Sequence, residues 1–245
     1  MIRSKSLGRQ KFFSMIFVAT ANMVLEILML MVDTVLAGHS VGEAGISAMN
    51  VMTPVVNLIQ FTGTIIATGV SICYDEAMGR ADKKRADKLF GMSLIIGVVS
   101  GLLLWLMIET GLDDYLLFLS LDAASLDETK VIMYASEYYS IYRFVLMIEP
   151  IIIILGIMVY TDGDENTSSA DCMIKIFGNL IMSAIFTFVF GMGMKGLALG
   201  TFLADICSVL TLSTHFFRKS NSLFPRMHFS FRDLWDFVRL GFADS

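Results

Sequence analysis

Six long runs of apolar residues alternate with short polar segments along the chain. Each run has at least the roughly 17 residues that a helix needs to cross the hydrocarbon layer of a bilayer. The pattern therefore predicts an all-α integral membrane protein, built as a bundle of six transmembrane helices. The runs are Phe12–Val32, Ala48–Tyr74, Leu89–Ile108, Tyr134–Tyr160, Ile174–Phe190 and Gly196–Phe217.

The composition agrees with a membrane location. Hydrophobic residue types make up 56% of the 245 residues and charged types only 17%, and the mean hydropathy is +0.70. A soluble domain has about 25% charged residues. The net charge of −5 indicates no particular partner, because the sidedness of Lys and Arg matters more than their sum. Nothing in the sequence supports nucleic-acid binding.

Basic residues set the predicted orientation in the membrane. The segments Gly38–Ser47 and Glu109–Thr129 contain no Lys or Arg, so we expect both to lie outside the cell. The acidic segment Thr161–Asp171 is then expected on the cytoplasmic side. Both termini should be cytoplasmic, in a multi-pass protein of the plasma membrane. The basic residues that fix this orientation are Arg3, Lys5, Arg9, Lys11, Arg80, Lys83, Lys84, Arg85, Lys88, Arg218, Lys219, Arg226, Arg232 and Arg239.

The last part of the chain differs from the six runs before it. Residues 1–217 are predicted to form the six-helix lobe. In residues 218–245 Pro225 breaks the chain, and aromatic and charged residues then alternate. This pattern predicts a cytoplasmic amphipathic linker followed by the start of a truncated seventh helix.

Motifs of catalysis and cofactor binding are missing from the sequence. There is no phosphate-binding glycine loop, no dinucleotide fingerprint, no nucleophile with a histidine partner and no metal-ligand spacing. We therefore predict that the chain is not an enzyme and uses no cofactor or metal.

Acidic residues inside the first run are candidates for ion coupling. Asn22, Glu26 and Asp33 follow one another along one stripe of the predicted helix. An intramembrane acid is costly, and Glu26 lies deep enough to carry a proton. The alternatives are a Glu26 that only hydrogen-bonds another helix and an Asp33 that only ends the first helix at the outer interface.

A polar stripe along the second run predicts the wall of a water-filled cavity. Asn50, Asn57 and Thr64 recur every seven residues, with Gln60 beside them. Bare amides in hydrocarbon cost several kcal/mol, on the order of 2–7. The alternative is that these groups hydrogen-bond neighbouring helices.

Two further acids lie inside runs. Glu149, next to Pro150, is either an ion-coupling group or a structural partner of Arg143 or of another helix. Asp205 in the sixth run has the same two interpretations.

The order of these markers resembles the N-terminal lobe of the multidrug and toxic compound extrusion (MATE) transporters. The resemblance covers nearly the whole chain, although each motif alone is weak. The segments that carry it are Val32-Asp33-Thr34 with Gly38, Gly69 with Ala77-Met78-Gly79-Arg80-Ala81-Asp82, Asp162-Gly163-Asp164, Gly178-Asn179, Gly193-x-x-Gly196-x-Ala198-x-x-Thr201 and Phe237-Val238-Arg239-Leu240-Gly241.

The resemblance implies a cation-coupled antiporter, driven by a proton or sodium gradient, that exports drugs or organic cations. In this family two six-helix lobes enclose a central cleft, so the lobe implies a second lobe as partner, either a missing half or another copy. Membrane lipid and a small-molecule substrate are the other implied partners. Where the family's fifth helix often carries an acid, this sequence has Ser183. The resulting candidates are Asp33, Glu26 and Glu149 for ion coupling, and Asn50, Asn57, Gln60, Thr64, Asn179, Ser183 and Asp205 for the substrate cavity.

Two other functions remain open from the sequence. One is a truncated remnant or scaffold that keeps the fold without transporting. The other is a flippase for lipid-linked oligosaccharides from the same superfamily, which should carry more basic residues in its cavity to meet a phosphate. The acidic and amide candidates favour cationic or neutral cargo instead.

Overall fold

The computed structural model describes residues 31–121, 126–219 and 221–244, and these are almost entirely helical. The end of α1 covers residues 31–41. A π-helical turn, Ile185–Val189, extends α5, and a 3-10 turn, Thr214–Phe217, extends α6. The other helices are α2 Glu43–Gly79, α3 Lys83–Leu121, α4 Leu126–Thr161, α5 Glu165–Ala184, α6 Gly193–Ser213 and α7 Phe231–Asp244.

Five of the six predicted spans are confirmed as helices. Within the described residues, α2 to α6 are each long and apolar enough to cross a membrane. The remaining span, Phe12–Val32, lies almost wholly outside the described residues. The helices exceed the predicted runs because polar residues at their ends stay helical. With 37 residues, α2 is about 55 Å long, against about 30 Å of hydrocarbon.

Two predicted loops are much shorter than expected. The Gly38–Ser47 segment is not a loop, because α1 continues to residue 41 and α2 begins at Glu43. Only Gly42 is non-helical, and its φ of 77° is a left-handed conformation that glycine adopts without strain. Most of Glu109–Thr129 is likewise helical, since α3 reaches Leu121 and α4 starts at Leu126.

The bundle is organised around α4, which packs against α2, α3, α5 and α6. Two apolar clusters fill the space around it. One includes Phe90 and Met158 near the α2–α3 turn, and the other includes Met52 and Leu146 nearer the α1–α2 turn. The α5–α6 pair packs on one side of α4.

The helix α7 lies along α2, and glycines allow the two backbones to approach closely. A Cβ atom at Gly69 would collide with the carbonyl oxygen of Phe237, and one at Gly241 would collide with that of Ile65. Arg85 also pairs with Asp233 of α7 at 3.2 Å. Since Ile65 lies about 20 Å from the C-terminal end of α2, α7 reaches well into the bundle. The division of the chain at residue 218 stays a prediction.

A buried polar network joins the α4–α5 turn to the segment after α6. His215 Nδ1 lies 2.9 Å from Asp164 Oδ2, and His215 Nε2 lies 2.9 Å from Asp162 Oδ2. Arg218 donates to Asp164 at 2.8 Å, and the Ser222 amide donates to Asp162 at 2.8 Å. The acidic α4–α5 turn is therefore paired with the basic side chains His215 and Arg218.

The same end of the bundle carries the basic α2–α3 turn. Lys83 donates to the Ser222 carbonyl, and the Arg226 amide donates to the Asp87 carbonyl at 3.0 Å. The basic turn, the acidic turn and the segment after α6 thus lie on one side, as the predicted orientation requires. Which side of the membrane this is stays a prediction.

Acidification should weaken this network through Asp164. Burial raises the pKa of its carboxyl, but hydrogen bonds from His215 and Thr167 and the Arg218 charge outweigh burial and hold the pKa below the ordinary value. A lowered folded pKa gives stability that is complete above the unfolded aspartate pKa of about 4 and is lost as pH falls further. Thermal unfolding should therefore depend less on pH below about 4 in Asp164→Asn than in the wild type.

The matched control for that experiment is Asp114→Asn, because Asp114 is exposed on α3. It should keep the wild-type slope. Equal slopes for wild type and Asp164→Asn would contradict the assignment of this pH dependence to Asp164.

Replacing Gly69 should release α7 from α2. Gly69→Ala adds a Cβ against the Phe237 backbone, which should cost about 1–3 kcal/mol and expose residues 221–230 to protease. Gly79→Ala is the control, since nothing lies within 4 Å of a Cβ there. Identical proteolysis rates in the two variants would show that the close contact is not needed.

Candidate functional site

A buried polar cluster joins α1, α5 and α6. Asn179 Nδ2 donates to Asp33 Oδ2 at 3.4 Å and to Thr201 Oγ1 at 3.3 Å, and Ser183 Oγ donates to Asn179 Oδ1 at 2.7 Å. Asp33 is 5% exposed and Asn179 1%. We call Asp33, Asn179, Ser183 and Thr201 the Asp33 cluster. Its central residue is Asn179, which contacts the other three.

Helical spacing and one glycine bring the Asp33 cluster together. Asn179 and Ser183 are one turn apart on α5 and so share a face. On α6, Gly200 lies against Ser183, where any Cβ would overlap the serine. The close approach lets Ser183 also donate to the Leu197 carbonyl at 3.2 Å. Tyr138 of α4 is buried beside this cluster, with its hydroxyl near Thr201.

The reactive group of the Asp33 cluster is a carboxylate oxygen of Asp33 that has no hydrogen-bond partner. Asp33 Oδ1 is buried and has no hydrogen-bond partner. A buried carboxylate with an unpartnered oxygen is costly, and a proton bound to that oxygen would remove the charge. The prediction of a helix-end acid at the outer interface does not describe this residue, because Asp33 is enclosed by α5 and α6.

A second buried cluster lies one helical turn from the first on both α5 and α6. Lys175 Nζ lies 2.6 Å from Glu149 Oε1 and 3.5 Å from Asp205 Oδ1. Gln60 of α2 donates to the same Glu149 oxygen at 3.1 Å. Glu149 is 3% exposed and Asp205 is fully buried. We call Gln60, Glu149, Lys175 and Asp205 the Lys175 cluster.

Arg143 is not the partner of Glu149. Its guanidinium lies 3.5 Å from Glu109 of α3, and Arg143 is about 9 Å along α4 from Glu149. Of the two structural partners considered for Glu149, the structure shows the one on another helix, Lys175. The ion-coupling alternative for Glu149 stays a prediction.

The predicted stripe on α2 is only partly exposed. Asn50 and Asn57 are exposed, whereas Gln60 and Thr64 are half-buried. Gln60 belongs to the Lys175 cluster, so the stripe divides between an open outer part and a packed inner part. A cavity facing Asn50 and Asn57 stays a prediction.

Several members of the two clusters were not among the predicted site residues. Lys175, Thr201 and Tyr138 were missed. A signal for Lys175 exists in the sequence, because every fourth residue of α5 is polar along Thr167, Asp171, Lys175, Asn179 and Ser183. Glu26, the predicted proton carrier, lies outside the described residues. Within residues 31–121, 126–219 and 221–244, no three His, Cys, Asp or Glu side chains form a metal-binding group.

Comparison with protein families gives one match. The family model MatE matches residues 19–189, well over half of the chain. No curated protein matches the sequence.

Comparison with solved structures gives matches with the same fold. A MATE protein in its bent conformation is 21% identical with a TM-score of 0.78, covering 90% of this chain and 49% of that one. An inward-facing multidrug resistance MATE transporter of the MOP superfamily is 20% identical with a TM-score of 0.79, covering 87% and 48%. A MOP superfamily transporter from Pyrococcus furiosus is 20% identical with a TM-score of 0.78, covering 90% and 48%. This chain spans about half the length of each.

Removing the centre of the Asp33 cluster should destabilise the bundle. Asn179→Ala leaves Asp33, Ser183 and Thr201 without their shared partner, at a cost of about 1–3 kcal/mol. Ser140→Ala is the control, because the Ser140 hydroxyl bonds only the Glu137 carbonyl of its own helix. Thermal unfolding in detergent measures both, and an Asn179→Ala midpoint as high as that of the control would contradict the role given to Asn179.

Proposed function

Because the chain belongs to the MatE family, whose members are transporters and not enzymes, we propose that it is one lobe of a cation-coupled antiporter. The antiporter exports drugs or organic cations across the plasma membrane. A second lobe, from a longer chain or from another copy, completes the substrate path. The observation that carries this proposal is the Asp33 cluster inside a MATE-like lobe.

Asp33 is the proposed coupling residue of the lobe. Its carboxylate is held by Asn179 through one oxygen, while Oδ1 remains buried without a partner. Binding a proton there removes a buried charge at the end of α1. Any ligand that binds one conformation of the lobe better than another shifts the equilibrium between them. Proton binding and release at Asp33 would thereby move α1 relative to α5.

A proton is the coupling ion that the geometry favours over sodium. In the Asp33 cluster the Asn179 amide turns Nδ2 toward Asp33, and its oxygen is occupied by the Ser183 hydroxyl. A hard cation such as sodium requires several free oxygen ligands, as calcium and magnesium do. With Ser183 in place of the family's acid, the cluster also has one negative charge fewer to hold a metal ion.

The substrate is proposed to contact the exposed part of the α2 stripe. Asn50 and Asn57 are exposed amides on a helix that crosses the membrane, and amides are unfavourable against lipid tails. A water-filled cleft against a second lobe would solvate them. No basic side chain lies on this stripe, which favours cationic or neutral cargo over a phosphate-bearing lipid.

Efflux from proteoliposomes tests the coupling role of Asp33. The lobe is reconstituted with a second copy or with a C-terminal lobe, and export of a cationic dye is driven by a pH gradient without sodium. Asp33→Asn should lower the initial rate at least tenfold, because an amide cannot bind and release the proton. Asp114→Asn, at an exposed position of α3, should keep the wild-type rate.

Full activity in Asp33→Asn would exclude Asp33 as the coupling residue. Efflux that requires a sodium gradient would instead identify sodium as the coupling ion. No efflux in any paired form would favour a non-transporting scaffold.

A further inference from the structure

The Lys175 cluster has more acid than base. Glu149 of α4 and Asp205 of α6 both face the single ammonium of Lys175 on α5. Asp171, one turn earlier on α5, is also buried. If Glu149 and Asp205 were both ionised, the group around Lys175 would hold one uncompensated negative charge inside the lobe. A buried uncompensated charge costs several kcal/mol, on the order of 3–5 when a partner is removed.

Hydrogen bonding within the Lys175 cluster is uneven. Glu149 Oε1 accepts from both Lys175 and Gln60, as an ionised carboxylate does. Asp205 is fully buried, yet neither of its oxygens has a hydrogen-bond partner, and Glu149 Oε2 also lacks one. Both carboxyl groups lie within 3.5 Å of the same ammonium, which brings them close enough for one to donate to the other if it carries a proton. A proton shared by the two carboxyl groups would give their unpartnered oxygens a hydrogen bond.

We propose that Glu149 and Asp205 hold one proton between them, as a carboxyl–carboxylate pair beside Lys175. The proton resides on Asp205, which then donates to the Glu149 carboxylate. With this proton the cluster of one ammonium, one carboxylate and one neutral carboxyl has no net charge. This is a proton-binding site separate from Asp33, and it does not depend on the transport proposal.

The surroundings of the pair contain few other titratable groups. On the described helices that pack against it, the facing groups are Gln60 from α2, Tyr138 and Tyr142 from α4, Lys175 and Asp171 from α5, and Ser208 from α6. Lys175 is the only cation in this set. Its ammonium contacts the two carboxyl groups at 2.6 and 3.5 Å, so a metal ion bound by both would have to displace it. The site is therefore built for a proton and not for a metal ion.

The pair lies close to the Asp33 cluster. Lys175 is four residues before Asn179 on α5, and Asp205 is four residues after Thr201 on α6, which is about 6 Å along each helix. The proton site is thus one turn nearer the end of the bundle that carries the Asp162–Asp164 turn. Proton uptake at either cluster changes the charge that the other experiences.

Infrared difference spectroscopy on the purified full chain tests the proposal directly. The C=O stretch of a protonated carboxyl group is separate from the bands of carboxylates and shifts in heavy water. The wild type should show a band from a protonated Glu149–Asp205 pair at neutral pH, and a band from Asp33 would be recognised by its loss in Asp33→Asn alone. Asp205→Asn and Glu149→Gln should each lose this band, because a single acid beside Lys175 stays ionised. Asp171→Asn and Asp33→Asn are the controls and should keep it.

The outcomes separate the alternatives. A wild type without the band, or a band unchanged in both Asp205→Asn and Glu149→Gln, would overturn the proposal. A band that disappears when sodium chloride, but not choline chloride, is added would assign the site to sodium and overturn it as well. Asparagine is a neutral copy of the protonated Asp205, and in Glu149→Gln the remaining acid Asp205 can ionise beside Lys175, so each single variant should fold. Failure of both to fold, while Asp171→Asn folds, would show that both charges are needed and would also overturn it.

Discussion

The absence of water inside the bilayer is the constraint on which the rest of the lobe depends. Every polar side chain on a membrane-facing helix must find a partner within the bundle or pay the cost of desolvation. The structure meets this constraint mainly between α4, α5 and α6. Asn179 donates a hydrogen bond to Asp33, and Lys175 forms ion pairs with Glu149 and Asp205. His215 contacts the two acids of the α4–α5 turn. These contacts fix the rotation of α5 and α6 about their axes.

Sequence reasoning found what depends on local composition. Hydropathy is a property of a continuous segment, so the spans from α2 to α6 could be predicted from it. The predicted runs are shorter than the helices because polar and charged residues at the helix ends remain helical. Asp33, Asn179 and Ser183 were found through the order of family-like motifs. Pairing across helices was not predictable in the same way. Lys175 was missed although it lies about 15 Å along α5 from the start of that helix at Glu165, where it contacts Glu149 of α4 and Asp205 of α6.

Helix packing was the other part that the sequence left undetermined. The amphipathic pattern after Pro225 is equally compatible with a helix on the membrane surface and with one packed on a neighbour. Two glycines allow α7 to pack along α2: Gly69 faces the backbone of α7, and Gly241 faces the backbone of α2. Neither glycine has a packing role unless the backbone of the other helix lies against it. A single sequence contains the small residues but not the information on which ones face each other.

The two clusters differ in how a change of charge would act on the fold. Lys175 and Glu149 form a close ion pair, and removing the Lys175 charge leaves Glu149 buried without a cation. Asp33 has one buried oxygen without a hydrogen-bond partner and Asp205 has two, and a proton bound at either acid leaves the closer Lys175–Glu149 ion pair intact. Asp33 is hydrogen-bonded to α5 and Asp205 lies on α6, so under the roles proposed above protonation of these two acids would change the attraction between α1, α5 and α6. The Lys175–Glu149 ion pair would meanwhile keep α4 and α5 together.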